Sequence, residues 1–218
     1  MRIGLVSDVH CNAPGLEAAL AQLGTLDLLL CAGDIVLQYR FSDDVIALLR
    51  AHNAVAIQGN HDKILLSSHG DGVRRSGQGK RAHWDWLAAL PLQRRLEVDG
   101  WRLLLAHGAP WDEPSSLHCD YVYPTDAARL PRMAHSDAEI VVLGHTHFPM
   151  LQRQGSTLVI NPGSCGEARN RDLLTCGLVD TARGTATLYH LEEGHRGEVL
   201  QEAALPTRWS EDAIAATG

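Results

Sequence analysis

The chain has 218 residues, a length that suits one α/β domain and is enough to bury a substantial core. With 45% hydrophobic and 21% charged residues it has the balance of a folded, soluble protein and not of a disordered one. A formal net charge of -7 argues against a broad basic face for gripping long nucleic acid, so any phosphate-bearing ligand must be held locally, as cationic metals would hold it.

Taken in order, Arg2-Ile3-Gly4-Leu5-Val6 reads as a strand. It runs directly into the polar stretch Ser7-Asp8-Val9-His10-Cys11-Asn12, and no charged leader with a long apolar segment precedes it. No signal peptide is therefore expected, and the expected location is the cytoplasm. Pro14 suits the first turn of a helix carrying Leu16, Ala19, Leu20 and Leu23, with Gly24 as its stop. Asp8 and His10, two residues apart at a strand end, point the same way and are candidate metal ligands; Asp8 reads equally well as a helix cap.

The second unit repeats this order. Leu28-Leu29-Leu30-Cys31-Ala32 is apolar and ends in Gly33-Asp34, where a carboxylate with two oxygens could bridge two cations. Ser42 or Asp43 caps a helix bearing Val45, Ile46, Leu48 and Leu49. In the third unit Ala54-Val55-Ala56-Ile57 leads to Gly59-Asn60-His61-Asp62, and Asn60 offers a neutral carbonyl oxygen that a divalent ion accepts beside negative ligands.

From residue 63 to 90 the order changes. His69-Gly70-Asp71-Gly72 is glycine-rich and polar, and Arg74, Arg75, Lys80 and Arg81 precede a helix with Trp84, Trp86 and Leu87. Two readings stand: a lid whose arginines hold phosphate and whose tryptophans stack on a base, or a solvated helix face with its tryptophans packed on the core. Aromatic burial is the commoner outcome.

Arg95-Leu96-Glu97-Val98 and residues 101–106, joined by Asp99-Gly100, read as a hairpin with the favoured turn, and the second strand delivers His107-Gly108. Residues 111–131 are irregular, rich in Pro, Asp and Tyr, and lead to a helix expected over 126–133. Ile140-Val141-Val142-Leu143 then enters Gly144-His145-Thr146-His147, a second pair of donors two apart. Strands over 149–152 and 157–160, the block Asn161-Pro162-Gly163-Ser164, and a hairpin of 173–179 with 185–191 follow. Residues 191–218 read as a polar surface tail of a single domain spanning 1–218. No apolar run of about 18 residues marks a membrane span. Five cysteines, odd in number and without C-x-x-C spacing, indicate reduced thiols; Cys11, beside a candidate ligand, is the one open to oxidation.

The strand ends collect Asp8, His10, Asp34, Asn60, His107, His145 and His147. Seven oxygen and nitrogen donors exceed what one divalent ion takes from side chains and fit two ions. Asp8, His10 and His147 are expected to hold one, Asn60, His107 and His145 the other, with Asp34 between them. Two ions roughly 3.5 to 4 Å apart share a labile hydroxide and polarise a phosphoryl group, which makes a hydrolytic site. Manganese is the first expectation, and Fe, Zn, Ni, Mg or Co also suit mixed N/O donors.

With these blocks in this order, the chain resembles the calcineurin-like metallophosphoesterases, and is most similar to their compact bacterial and archaeal phosphodiesterase branch, which also carries a block like Asn161-Pro162-Gly163-Ser164. The resemblance implies a four-layer α/β sandwich of two mixed β-sheets flanked by helices, with metals at the strand ends. It implies that His61 lies near the leaving-group oxygen as general acid or charge stabiliser, the alternative being a histidine hydrogen-bonded in its loop. Asn12 either touches a substrate oxygen or caps the first helix. The Ser/Thr phosphatases follow Gly-Asp with Asp-Arg-Gly, whereas Gly33-Asp34 here runs into Ile35-Val36-Leu37-Gln38-Tyr39-Arg40, so a phosphodiester is preferred to a monoester. The mechanism implied is in-line attack of a metal-bridging hydroxide without a covalent intermediate. The expected partner is a small phosphoester, a nucleotide among the candidates, with no long nucleic acid and no membrane. A phosphomonoesterase, a dinucleoside polyphosphate hydrolase and a non-catalytic scaffold of the same fold are the alternatives. His52, His69, His83, His118, His135, His190 and His195 match no motif and are expected mostly at the surface.

Overall fold

The structure, a computed structural model, describes residues 1–113, 116–169, 173–192 and 197–208. In chain order its elements are β1 Arg2–Val6, α1 Ala13–Leu23, β2 Leu28–Cys31, α2 Asp43–Ala51, β3 Val55–Ala56, α3 Asn60–Leu66, α4 Asp71–Arg75 and α5 Arg81–Ala88. There follow β4 Gln93–Val98, β5 Trp101–Ala106, β6 Ile140–Val142, β7 Met150–Gln154, β8 Thr157–Asn161, β9 Thr175–Asp180, β10 Thr185–His190 and β11 Val199–Ala204. One sheet has the order β11-β10-β9-β1-β2-β3 and the other β4-β5-β6-β8-β7. Both are mixed: β1, β2 and β3 are parallel while β9 joins β1 antiparallel, and β5, β6 and β8 are parallel between antiparallel β4 and β7.

Period-two alternation makes the layers. Ile3 and Leu5 of β1 and Leu30 and Ala32 around β2 face Leu103, Leu105, Ile140, Val142, Leu158 and Ile160 of the second sheet, forming the core between the sheets. The intervening residues Val6, Leu29 and Cys31 turn the other way, onto Leu16, Ala19 and Leu23 of α1 and Val45, Ile46 and Leu49 of α2. On the far side of the second sheet, Leu104, Val141, Leu143 and Val159 pack under Leu130 and Met133. The result is the four-layer sandwich that the resemblance implied. Among the described residues no helix is long and apolar enough to cross a membrane.

Several local expectations held. Ser42 caps α2 by accepting from the Val45 amide, and Asp99 and Gly100 both adopt positive φ, 49° and 80°, as the tight turn between β4 and β5 requires. Others are corrected. The helix expected over 126–133 is a 3-10 helix, Leu130–His135, with Pro131 in its first turn. Within the span read as a surface tail, β11 pairs antiparallel with β10, and Gln201 Oε1 accepts the Leu151 amide at 2.9 Å, closing the side of the sandwich. An edge strand that leaves most of its side chains in water needs no apolar alternation, so its pattern is invisible to hydropathy. Residues 209–218 of that span, and His195, lie outside the described residues. His83 is buried and meets Asp43 at 2.6 Å, joining α5 to the start of α2.

Residues 63–90 fold as short helices. Arg74 donates to the Leu65 carbonyl at 2.8 Å and to the Ser67 carbonyl at 2.6 Å, closing the end of α3, and pairs with Asp71. Trp84 stacks on Phe41 with centroids 4.2 Å apart and donates its indole N–H to Gln78 O. The packed reading of the tryptophans is the one realised.

Candidate metal centre

All seven donors picked out at the strand ends meet at one edge of the sandwich. Six of them, Asp8, His10, Asp34, His107, His145 and His147, are buried, with Asn60 half-buried beside them. Ring and carboxylate atoms of Asp8, His10 and His147 lie within 4.8 Å of one another, as do those of Asp34, His107 and His145, and of His10, Asp34 and His61. Asn60 Oδ1 is 3.0 Å from His107 Nε2.

The backbone is bent to achieve this. Asp8, His10, Asp34, His145 and His147 have φ of 52°, 48°, 51°, 69° and 60°, a left-handed region that non-glycine residues rarely enter. Five such residues in one pocket indicate strain held by the surrounding fold for function. Two glycines permit the close approach. A Cβ on Gly59 would stand 2.2 Å from Asp34 Oδ1, and one on Gly144 would stand 2.0 Å from Ser7 Oγ.

Each carboxylate has one oxygen fixed by the protein and one turned inward. Asp8 Oδ2 accepts from Ser7 Oγ at 2.6 Å and from the His145 amide at 3.0 Å, while buried Oδ1 has no hydrogen-bond donor and lies 3.2 Å from His147 Nε2. Asp34 Oδ1 accepts the His61 amide at 2.8 Å, and Oδ2 faces His107 Nε2 at 3.2 Å and His10 Nε2 at 3.9 Å. The imidazoles are held in the same manner: His107 Nδ1 bonds Ala32 O at 2.7 Å, His145 Nε2 bonds Cys119 O at 3.0 Å and His147 Nδ1 bonds Glu167 O at 3.1 Å. A backbone carbonyl on one nitrogen fixes the tautomer and leaves the other nitrogen's lone pair for a cation, the usual support of metal-binding histidines. An orphaned buried carboxylate oxygen amid inward lone pairs is what a divalent ion satisfies, so the residues fit metal.

The electrostatics agree. Burial pushes Asp34 and Asp8 upward, yet the histidines facing them outweigh it and hold both carboxyls below their ordinary value. Burial lowers His107, but the Asp34 charge and hydrogen bond prevail and carry it well above the ordinary value. His145 is pushed down to about 4, first by burial and then by His107. The pocket thus favours positive charge, which it draws to itself as a proton on His107 when no metal supplies it.

Supporting residues come from segments whose roles the motifs did not disclose. Asp62 fastens the start of α3 to the loop after β2, accepting the Gly59, Ile35 and Val36 amides at 2.9, 3.2 and 3.0 Å; burial and the neighbouring Asp34 charge raise it to about 7. Asn161 Nδ2 donates to Gly144 O at 2.7 Å and Ser164 Oγ to Asp8 O at 2.7 Å, so the Asn-Pro-Gly-Ser block clamps two ligand loops together. Glu167 brings its carboxylate to 3.6 Å from His10 Nε2 and pairs with Arg169 at 3.2 Å. It follows that block by three residues, and nothing in the sequence marks it as a neighbour of His10.

His61 is half-buried, with its ring edge-on to His10 at 4.9 Å and its Nε2 4.0 Å from Asp34 Oδ2. Asn12 caps α1: Oδ1 accepts the Gly15 amide at 3.0 Å, and Nδ2 donates to Gly166 O at 2.9 Å. Both ends of its amide are engaged by backbone. Cys11 lies half-buried, its Sγ 3.2 Å from Arg40 O, and burial pushes its thiol up, away from the reactive thiolate. Beside His107 a cleft of about 390 Å3 opens between Lys63, Gln93, Trp111 and Asp112.

Residues 1–184 match the model of the calcineurin-like phosphoesterase superfamily domain. A probable metallophosphoesterase of Methanothermobacter thermautotrophicus is 25% identical to this chain, the match covering 75% of this chain and 77% of the relative. Among solved structures, a metallophosphoesterase from Sphaerobacter thermophilus superposes with a TM-score of 0.69 at 25% identity, covering 88% of each chain. The structure of an archaeal phosphodiesterase superposes with a TM-score of 0.59 at 24% identity, covering 88% of this chain and all, 100%, of the other.

Proposed function

Because the chain belongs to the calcineurin-like phosphoesterase superfamily, we propose that it is a phosphoester hydrolase that works with two divalent cations, manganese first among them, and prefers phosphodiesters. The observation that carries the reading is Asp34, whose carboxylate belongs to two donor groups at once, with His107 and His145 on one side and His10 on the other. Two ions held there would supply an acidified water and a polarised phosphoryl group.

The chain's own residues do the rest. The Asp34 carboxylate is turned toward both donor groups by the His61 amide, and the fixed imidazole tautomers spare the pocket any rearrangement on binding. His61 Nδ1 accepts the Gln38 amide at 3.4 Å, which leaves the proton on Nε2, the nitrogen that faces the pocket and can donate to a departing alkoxide.

The preference for a diester rests on charge. Arg40 is engaged at His10 O at 3.0 Å and Arg74 at the end of α3, so neither guanidinium is turned to clamp a phosphate dianion. Glu167, offset in part by Arg169, sets a carboxylate beside His10, which favours a monoanionic diester over a dianionic monoester. The cleft beside His107 gives room for one of the two arms that a diester carries. Against a non-catalytic scaffold of the same fold stand the seven converging donors held in a strained backbone.

The test compares bis(p-nitrophenyl) phosphate with p-nitrophenyl phosphate, using manganese-loaded wild type and Asp34→Asn. The diester is expected to turn over faster, and Asp34→Asn to lose at least about 100-fold, as expected for removal of a group preorganised at the reacting centre. A faster monoester rate sinks the diester preference, and full activity in the variant sinks the shared carboxylate.

A further inference from the structure

Three aromatic side chains count as exposed among the described residues, Tyr39, Tyr121 and Tyr123, at 60%, 46% and 38%. All three belong to segments that touch the metal pocket. Tyr39 follows Gln38, whose amide reaches His61. Tyr121 lies flat on the imidazole of His145, with centroids 4.1 Å apart and planes 18° apart. Tyr123 continues the stack, 5.7 Å from Tyr121 at 13°, and its other neighbour is Phe148, edge-on at 5.6 Å. A run of near-parallel, exposed rings therefore leads away from a candidate metal ligand.

Its loop is held rigid. The Asp120 amide donates to Asp112 Oδ2 at 2.9 Å, and the Ala109 amide donates to Asp120 O at 3.2 Å. Arg129 pairs with both Asp120 and Asp126, the Asp126 amide returns to Tyr123 O at 3.0 Å, and Cys119 O receives His145 Nε2. Rings fixed in place and left in water lose little further entropy when another planar ring joins them. By contrast, Trp84 stacks under Phe41 and Trp101 is buried.

The geometry points to Tyr121 and Tyr123 as a stacking subsite for the planar ring of the substrate's non-reacting ester arm, which makes the substrate class a nucleoside phosphodiester. This rests on the hydrolase reading above and adds what that reading leaves open. A phosphate seated at the candidate metal ligands would lie beside His145, so an arm turned toward the loop would reach the rings of Tyr121 and Tyr123. An alkyl arm finds no comparable partner there. Sequence-tolerant stacking of this kind does not choose among the bases, because every base has a π-face. Tyr121 also packs on a ligand, so Tyr123 is the residue whose change reports stacking without disturbing His145.

The experiment uses the full chain loaded with manganese and two substrates that share one leaving group, thymidine 5′-(p-nitrophenyl phosphate) and methyl p-nitrophenyl phosphate. The wild type is expected to show a KM for the thymidine ester at least about fivefold lower, the low end of what one base stacked on an aromatic side chain contributes. Tyr123→Ala removes that advantage, with the loss in KM and not in kcat, and Tyr123→Phe, which keeps the ring, restores it. An advantage that survives in Tyr123→Ala, or that Tyr123→Phe fails to restore, overturns the subsite, as does a wild type that treats both esters alike. Should neither ester be hydrolysed, the hydrolase reading fails by itself. Saturation-transfer NMR with thymidine 5′-monophosphate then decides the subsite: transfer to the thymine protons in wild type and in Tyr123→Phe but not in Tyr123→Ala supports it, and any other pattern overturns it.

Discussion

Substituting Gly59 by alanine adds one methyl group where the fold has no space for it. Gly59 has φ -97° and ψ -174°, extended backbone that alanine adopts without strain, so the effect is purely that of the new Cβ. That carbon would lie 2.2 Å from Asp34 Oδ1 and 2.5 Å from the Asp34 amide nitrogen, both in the loop after β2. Opening the first contact to the 3.0 Å below which real Cβ atoms essentially never approach requires a displacement of about 0.8 Å, in a packed interior that yields only with strain. Because Oδ1 is the oxygen tethered to the His61 amide, the shift carries Oδ2 out of line with His107 and His10. A misplacement of about 1 Å in a reacting constellation costs about 100-fold in rate, and overpacking of this kind about 1–3 kcal/mol of stability. The assay is diester hydrolysis at 25 °C with a thermal melt on the same preparation. The expected result is a folded protein with Tm lowered by about 2–12 °C and kcat/KM reduced about 100-fold. Gly72→Ala, with nothing within 4 Å of its added Cβ, is the control and keeps full activity. Wild-type kcat/KM in Gly59→Ala would show that the position of the Asp34 carboxylate does not govern the reaction.

Asn12→Ala removes the cap of α1 and is expected to cost about 1 kcal/mol, a Tm lower by about 2–4 °C, with KM unmoved; a raised KM at unchanged Tm would instead give Asn12 to the substrate. For His61→Gln, hydrolysis of a diester with a poor alkoxide leaving group should fall by about 10²–10⁴, while the p-nitrophenolate diester, which leaves without a proton, falls far less; equal losses on both would remove the general-acid role. The metal-free protein should carry His107 protonated and His145 neutral at pH 7. A histidine raised on folding contributes stability below about pH 6.5 that is lost as pH rises through its folded value, and one depressed to about 4 contributes stability above about pH 6.5 that is lost as pH falls toward 4. Manganese uptake at pH 7 should accordingly release at least one proton per chain, read by titration calorimetry in buffers of different ionisation enthalpy, and an uptake independent of the buffer would contradict the His107 assignment.

The sequence disclosed the seven donors because each follows a buried apolar strand, and a strand that ends at a sheet edge delivers its next residues to a common place. Gly33-Asp34, Gly59-Asn60 and Gly144-His145 are legible for the same reason: a glycine lets one backbone approach another. The left-handed conformations of Asp8, His10, Asp34, His145 and His147 are not legible, since L-residues disfavour that region and only tertiary contacts impose it. Glu167 and the Cys119 carbonyl come to the site from loops without hydropathy periodicity. β11 carries no apolar alternation because most of its side chains stand in water, and composition leaves the tryptophans of α5 with two readings, burial the commoner, because it cannot tell a ring stacked on Phe41 from one left open to a ligand. Tyr121 and Tyr123 lie in the irregular rim loop 111–131, where no periodicity marks a ring as exposed, and only the fold shows them beside His145.

If one pocket holds two cations with Asp34 between them, a count of the bound ions shows it. Metal-free chain titrated with manganese and followed by calorimetry and elemental analysis should take up two ions per chain in the wild type and fewer than two in Asp34→Asn. A wild type that saturates with a single ion, or a variant that binds two as tightly, would contradict it.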